Sequence, residues 1–245
     1  MKTKIKVFLA ILFFGLGIIF FVYPQITDKV YKNNVKKEEE KYIEIMNDVH
    51  NNTEQGTVGS NMSTSFNDYH FDELYELLDN RNKSIYANKQ EEFLYHTNYE
   101  VNDIDLKKYG LENQIFGFLT IPSIGITLPI YFGASNYNMR LGAVHLTGTS
   151  YPIGGMNTNS VIAAHRGYYR TKMFRDIERI SIGDVLTIRN FKGLLTYKAI
   201  KKDIIDPKDL EKLTIIDSKD MVTIISCHPF PYNYQRYVVY FERIS

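Results

Sequence analysis

The chain has 245 residues, of which 44% are hydrophobic and 23% charged, so it is long enough for one sizeable domain and an accessory segment. Its 29 basic and 28 acidic residues give a net charge of +1, without the basic excess typical of proteins that bind a nucleic-acid backbone. No nucleic-acid partner is therefore predicted.

An uncharged apolar run occupies residues 7–23, directly after a short basic leader. At 1.5 Å per helical residue these 17 positions span about 26 Å, close to a bilayer core of roughly 30 Å. A cleaved signal peptide is the alternative, but the run ends in Phe-Phe-Val-Tyr-Pro, without the small residues of a cleavage site. We predict a cytoplasmic leader at residues 1–6, a single-pass membrane anchor at residues 7–23 and an extracellular catalytic domain.

The segment after the anchor, residues 24–113, combines helical patterns with polar loops. Residues 26–50 are rich in Lys and Glu and predict a helix that leaves the membrane, whereas residues 51–67 predict a loop. Apolar residues at helical spacing over residues 69–94 predict a helical hairpin or one interrupted helix.

From residue 114 to residue 245 the pattern changes to short runs rich in Ile, Val, Tyr, Phe and Thr, separated by turn residues. So many strands at close spacing predict a mainly β domain, a closed or nearly closed β-barrel with short helices. One helix is expected around residues 171–180, ended by Gly183. The predicted strands cover residues 115–121, 127–132, 160–164, 185–189, 194–204, 221–226 and 236–243.

Cys227 is the single cysteine and cannot form an internal disulfide. In an exported domain a lone thiol is either buried and inert or the working group. The buried-strand pattern of residues 221–226 places Cys227 at a strand end, and Arg236 opens the next strand after a loop with two prolines. If those strands pair antiparallel, Cys227 and Arg236 lie opposite each other, and His165 stands at the end of another predicted strand.

These three residue types suit nucleophilic catalysis on a rigid scaffold. A Cys thiolate is a nucleophile, a His protonates a leaving amine, and the planar fork of an Arg holds an oxyanion. The residues alone also allow structural interpretations: Cys227 as buried filler, His165 as a structural histidine and Arg236 as a solvated edge-strand residue.

The motifs around these residues resemble those of sortases. Thr-Ile-Ile-Ser-Cys at residues 223–227, followed nine residues later by Arg236, is similar to the family's Thr-Leu-x-Thr-Cys…Arg signature. Gly-Ala-Val-His-Leu at residues 142–146 and Ala-Ala-His-Arg-Gly at residues 163–167 match the family in order and spacing. The resemblance covers residues 115–244 and is strongest to class C sortases, which polymerise pilins.

The resemblance implies a sortase-type β-barrel and a thiol transpeptidase of a Gram-positive cell surface that uses no cofactor. Such an enzyme cleaves a sorting signal similar to Leu-Pro-x-Thr-Gly between Thr and Gly. It holds the acyl group as a thioester and passes it to an amine, either a pilin lysine or a peptidoglycan cross-bridge. By this resemblance Cys227 is the nucleophile, His165 the acid/base and Arg236 the oxyanion-stabilising or substrate-positioning residue, and Ser226 replaces the family's Thr before the cysteine as a substrate-binding candidate.

Further side chains flank the predicted site. Tyr168 and Tyr232 lie on two loops and are candidates for the walls of a peptide groove, with ordinary surface tyrosines as the alternative. Arg166 is interpreted as a solvated loop charge. No metal site is predicted, because Cys227 and the adjacent His228 would point to opposite sides of an extended backbone.

Two features of class C sortases are missing from this sequence: a second transmembrane helix after the barrel and an Asp-Pro-aromatic lid motif before it. A lid within residues 95–110 remains a hypothesis, and the acceptor, for pilus assembly or for anchoring of surface proteins, stays open. The alternatives to a transpeptidase are a thiol hydrolase or endopeptidase of wall peptides and a membrane-tethered structural or adhesive barrel with an inert Cys227.

Overall fold

A long helix, α1 (Lys2–Glu54), opens the chain in the computed structural model, which describes residues 2–54, 70–95, 99–100, 102–111, 113–167 and 171–245. It confirms the helix predicted over residues 26–50 and joins it without a break to the apolar run. The large apolar side chains of that run, such as Phe13 and Phe21, are exposed. The helix is long and apolar enough to cross a membrane, a property that membrane anchors and signal sequences share.

The later part of α1 is docked on the rest of the molecule. Val35 and Tyr42 are buried, and the Tyr42 hydroxyl donates to the carbonyl oxygen of Phe116 at 2.8 Å. Nearer the apolar run, the carboxylate of Asp28 accepts a hydrogen bond from the main-chain amide of Lys172 at 3.1 Å. Contacts at both ends of this stretch hold the helix against the following domain.

Two shorter helices, α2 (Phe71–Ala87) and α3 (Glu91–Tyr95), confirm the interrupted helical segment predicted over residues 69–94. Asn82 of α2 is buried and forms two hydrogen bonds with the main chain of Tyr151, donating to its carbonyl at 3.2 Å and accepting from its amide at 2.7 Å. The Asn82 amide thus satisfies both the main-chain carbonyl and the main-chain amide of Tyr151, and these two bonds fix α2 on the barrel domain.

The domain from residue 114 onward is a closed barrel, as predicted, and short helices connect its strands. The strands are β1 (Gly117–Ile121), β2 (Ile126–Phe132), β3 (Ala143–His145), β4 (Thr158–Ala163), β5 (Val185–Asn190), β6 (Gly193–Ile205), β7 (Asp220–His228) and β8 (Gln235–Arg243). Over the described residues their order around the barrel is β1-β2-β3-β4-β7-β8-β6-β5. The pairs β2–β3 and β4–β7 are parallel, and the other pairs are antiparallel. The helices of this region are α4 (Asn136–Leu141) and the 3-10 turns Pro122–Ile124, Ile177–Arg179 and Leu210–Leu213.

Alternate residues of β7 and β8 point to two different apolar clusters. Ile224 and Val239, which are paired across the two strands, belong to the large cluster that fills the barrel. The next pair, Ile225 and Val238, packs into a second cluster with Phe93 of α3. We call this second set the outer cluster; its buried members are Phe93, Val161, Ile205, Leu213, Met221, Ile225, Val238 and Tyr240.

The helix predicted around residues 171–180 is wrong. This segment forms turns that end in the 3-10 helix Ile177–Arg179. Met173 adopts a positive φ of 41°, and the amide of Phe174 donates to the carbonyl of His165 at 3.1 Å. An α-helix needs these residues in the right-handed region with their amides bonded inside the helix, so the loop closure excludes it.

Candidate active site

Cys227 lies near the end of β7, between β8, which carries Arg236, and β4, which ends two residues before His165. In the antiparallel register of β7 and β8, Cys227 is paired directly with Arg236. On its other side, the parallel register of β4 and β7 ends at Ala163 opposite Ile225, so two further residues bring His165 beside Cys227. Strands are about 4.8 Å apart, and the three predicted residues are therefore neighbours at one end of the barrel.

The face on which Cys227 stands follows from the alternation along the strand. Ile225 and Val238 belong to the outer cluster, and the residues two positions after Ile225 and two positions before Val238 point to the same side. Cys227 and Arg236 are those residues. The candidate site therefore lies on the outer surface of the barrel wall, next to the outer cluster. Cys227 is a partly exposed free thiol.

Arg236 is oriented by the loop that precedes it. Its Nη1 donates to the carbonyl oxygens of Asn233 at 2.9 Å and Gln235 at 2.8 Å. These bonds tie the guanidinium to the β7–β8 loop beside Cys227. A cation at this position is suited to stabilise a developing oxyanion.

His165 lies two residues after the end of β4, at the start of a loop, and is partly buried. Desolvation by this burial lowers the pKa of His165 below its ordinary value of 6.5. The imidazole is consequently favoured in its neutral form at pH 7, in which it can accept a proton from a thiol.

Ser226 points away from the face that carries Cys227. It is buried, and its hydroxyl donates to the carbonyl oxygen of Ala164 at 2.8 Å. This bond joins β7 to the residue immediately before His165. The role predicted for Ser226 in substrate binding stays a prediction.

Arg166 corrects an interpretation made from the sequence. It is not a solvated loop charge, because only 8% of the residue is exposed. Its Nη1 donates to the carbonyl oxygen of Cys227 at 3.1 Å, and its Nη2 forms a 2.6 Å ion pair with Glu178. The sequence offered no signal for this contact, since Glu178 lies on a separate turn.

The two predicted tyrosines fall in different situations. Tyr232, on the loop between β7 and β8, is 76% exposed, and the neighbouring Phe230 and Tyr234 are also exposed. Tyr168 lies outside the described residues. The role of both tyrosines in a substrate groove remains a prediction.

The outer cluster beside Cys227 is covered by α3 and by part of the segment predicted as a lid. Phe93 is fully buried, and its ring centroid is 5.5 Å from that of Tyr99. The carbonyl of Tyr99 accepts from the amide of Ala134 at 2.7 Å. Tyr99 is thus attached to the barrel near the outer cluster, and the function of this segment as a lid stays a hypothesis.

His145 belongs to the scaffold behind the site. Its Nε2 lies 3.1 Å from each of the carbonyl oxygens of Thr149 and Ser150, so Nε2 carries the proton and donates. Complete burial lowers the pKa of His145 to about 4. Over the described residues, no group of three or more His, Cys, Asp or Glu converges on a position that could hold a metal ion.

The fold and the site together define a candidate thiol enzyme built on a closed β-barrel. A family model described as a sortase domain matches residues 119–244, just over half of the chain. The chain therefore belongs to the sortase family, the cysteine transpeptidases that the sequence motifs resemble.

Two curated relatives support this membership. The chain is 30% identical over 135 residues to sortase D of Bacillus subtilis, covering 54% of this chain and 65% of that protein. It is 25% identical over 130 residues to sortase A of Bacillus anthracis, covering 52% of this chain and 59% of that protein. The matches thus span less than two thirds of the length of these relatives.

Solved structures of sortases are also similar. Sortase C1 from pilus island 1 of group B Streptococcus is 32% identical, with a TM-score of 0.63 over 70% of this chain and 87% of that chain. Sortase C-1 from Streptococcus pneumoniae is 28% identical, with a TM-score of 0.57 over 69% of this chain and 91% of that chain. The fold and the family resemblance predicted from the motifs are both confirmed.

Proposed function

We propose that this chain is a membrane-anchored sortase that cleaves a Leu-Pro-x-Thr-Gly-like sorting signal between Thr and Gly and transfers the acyl group to an amine. The observation that carries the proposal is the pairing of Cys227 with Arg236 across β7 and β8, with His165 two residues beyond the end of the β4–β7 ladder that leads to Cys227. An inert structural cysteine would need no partly exposed thiol between an imidazole and a guanidinium.

In the acylation half, the Cys227 sulfur attacks the Thr carbonyl carbon after its proton passes to His165. The developing oxyanion is stabilised by the guanidinium of Arg236. His165 then gives its proton to the departing Gly amine as the peptide bond breaks, which leaves a thioester on Cys227. The lowered pKa of His165 suits this sequence, since a neutral imidazole must first accept the proton.

In the transfer half, an amine attacks the thioester carbonyl, the C–S bond breaks and His165 takes up the excess proton of the amine. The acceptor is a pilin lysine or a peptidoglycan cross-bridge amine. The name of one similar protein of solved structure includes a pilus island, which supports the pilin lysine, and the sequence motifs leave both acceptors open.

The membrane anchor is part of the proposal. Residues 7–23 of α1 expose large apolar side chains, and the same helix continues into the stretch docked on the barrel. A bilayer would cover the exposed run. Anchoring keeps the enzyme beside substrates that are themselves retained at the membrane, which raises their effective concentration.

The test is mass spectrometry of products from the full-length protein in detergent, given a panel of sorting peptides and two amines, a pilin lysine peptide and a cross-bridge mimic. A transpeptidase gives an amide adduct with at least one amine. Products of water alone would support the rival thiol hydrolase. Failure of Cys227 to react with a mild alkylating reagent at neutral pH would support an inert structural cysteine.

The matched variant is Cys227→Ala, which we expect to abolish cleavage while the cooperative unfolding transition is retained, because the thiol is partly exposed and is not part of the core. Cleavage of a sorting peptide by this variant would contradict the assignment of the nucleophile.

A further inference from the structure

The guanidinium of Arg166 occupies a junction of three chain segments behind the candidate site. Its Nη1 donates to the Cys227 carbonyl at 3.1 Å, its Nε to the Arg175 carbonyl at 3.0 Å and its Nη2 to the Glu178 carboxylate at 2.6 Å. Each contact uses a different nitrogen of one rigid plane, and the side chain is 9% exposed. A buried charge is costly unless it is paired and hydrogen-bonded, and this one has both kinds of partner.

The contact with Cys227 falls where the parallel β4–β7 ladder ends. The amide of Ala164 donates to the carbonyl of Ile225 at 3.3 Å. In a parallel ladder the next donor on the first strand, two residues on, bonds the carbonyl two residues further along the second, which here is the carbonyl of Cys227. The side chain of Arg166 supplies a donor to this carbonyl. It therefore extends the attachment of the two strands by one step, to the level of Cys227 itself.

The same side chain also closes the loop that begins at His165. The amide of Phe174 donates to the His165 carbonyl at 3.1 Å, and the Arg166–Arg175 bond lies beside it. Gly167 suits the turn of this loop, because its positive φ of 99° is a conformation that other residues rarely adopt. The main chain of Cys227 is thus held by the guanidinium of Arg166, and that of His165 by the Phe174 amide of the same loop.

Glu178 completes the arrangement. The same carboxylate oxygen that pairs with Arg166 also lies 2.9 Å from Nδ1 of His228, the residue after Cys227. The hydrogen bond from Arg166 holds the pKa of the Glu178 carboxyl below its ordinary value, so the group is a carboxylate at neutral pH. The Cys227 carbonyl, through Arg166, and the side chain of His228 are therefore both attached to the turn that carries Glu178.

From this geometry we infer that Arg166 is a positioning residue of the acyl-transfer reaction. It holds the main chain of Cys227 against the loop that begins at His165 and thereby sets the distance between the Cys227 thiol and the His165 imidazole, with Glu178 as its counter-charge; the inference rests on the proposed transpeptidase function. Lys cannot replace it, because an ammonium has no planar fork to reach three acceptors at once.

The test compares Arg166→Lys with wild type in the full-length protein in detergent. The concentration of reactive thiol is measured by titrating one aliquot of each sample with iodoacetamide. Peptide cleavage is measured on an untreated aliquot and expressed per reactive thiol. We expect kcat per thiol to fall about 10- to 100-fold with little change in KM, because small misplacements of reacting groups cost up to about 100-fold in rate. A merely structural role would lower the amount of reactive thiol or the Tm and leave kcat per thiol unchanged.

The matched control is Arg179→Lys, an exposed arginine on the same 3-10 turn as Glu178, which should behave as wild type. A second readout needs no peptide: the alkylation profile, which is the rate of Cys227 alkylation against pH, should differ from wild type in Arg166→Lys, since a thiol displaced from its imidazole loses the base that takes up its proton. If wild type cleaves no sorting peptide, the proposed function fails, and the alkylation profile still decides the positioning role.

Wild-type kcat per thiol together with a wild-type alkylation profile in Arg166→Lys would overturn the inference. Should that variant fail to unfold cooperatively, Glu178→Gln decides instead. The amide still accepts a hydrogen bond from Arg166 but lacks the counter-charge, and we expect a several-fold lower kcat per thiol and an alkylation profile different from wild type. An unchanged kcat and an unchanged profile in Glu178→Gln would equally overturn it.

Discussion

At the scale of single residues, the candidate site depends on side chains whose roles follow from strand position. The positions of Cys227, His165 and Arg236 near strand ends could be predicted from the sequence because buried apolar runs show where a strand ends. Their catalytic roles came from the resemblance to sortase motifs, because position alone also allows structural interpretations. Arg166 could not be predicted. Whether a loop arginine is solvated or buried depends on acceptors such as the Cys227 carbonyl, whose position only the folded chain defines.

Arg236→Lys should lower kcat/KM for a sorting peptide by about 100-fold or more, in line with the loss of one oxyanion donor at other sites. The physical reason is that one nitrogen of Arg236 already donates to two loop carbonyls, and a Lys cannot hold these and an oxyanion together. Steady-state cleavage kinetics measure the effect. A kcat/KM equal to that of wild type, in a variant of unchanged Tm, would contradict the role given to Arg236.

At the scale of secondary-structure elements, the strands were more predictable than the connections. Seven strands follow from runs of β-branched and aromatic residues, whereas β3 has only three residues, too few to show a period. The helix expected around residues 171–180 fails for a tertiary reason, since its amide at Phe174 is bonded to His165. Local patterns cannot report a hydrogen bond that closes a loop.

The docking of α1 on the barrel can be tested at one buried hydroxyl. Tyr42→Phe removes the donor to the Phe116 carbonyl and leaves that acceptor without this partner, so we expect the free energy of unfolding to fall by about 1–3 kcal/mol. Urea unfolding of the full-length protein in detergent measures it. Tyr137→Phe, an exposed tyrosine on α4, is the control, and equal effects of the two substitutions would argue against a stabilising contact.

At the scale of the whole molecule, acid should destabilise the fold partly through His145. Its pKa is about 4 in the folded state and near 6.5 as an ordinary imidazole, so the unfolded chain binds the proton first as the pH falls. The stability that the neutral imidazole contributes is therefore complete above pH 6.5 and declines between pH 6.5 and 4. The shift corresponds to about 3 kcal/mol.

The measurement is the difference in unfolding free energy between wild type and His145→Gln at several pH values, in which the other titrating groups cancel. The advantage of wild type should shrink from pH 7 to pH 4.5. A difference that stays constant over this range would show that His145 does not titrate in this way.

The continuous course of α1 sets how high the candidate site stands above a bilayer. Asp28, which binds the amide of Lys172, lies five residues beyond Tyr23, the last residue of the apolar run, or about 8 Å along a helix axis. Lys172 belongs to the loop that starts at His165. If the apolar run is embedded in the bilayer as proposed, the continuous helix connects it directly to the barrel. The candidate active site is then held at a nearly fixed distance from the membrane, just outside the lipid headgroups. A sorting signal would then reach the site only if the spacer between its cleavage point and its own hydrophobic tail is short. Spacer length would therefore contribute to substrate selection independently of contacts with the sorting motif.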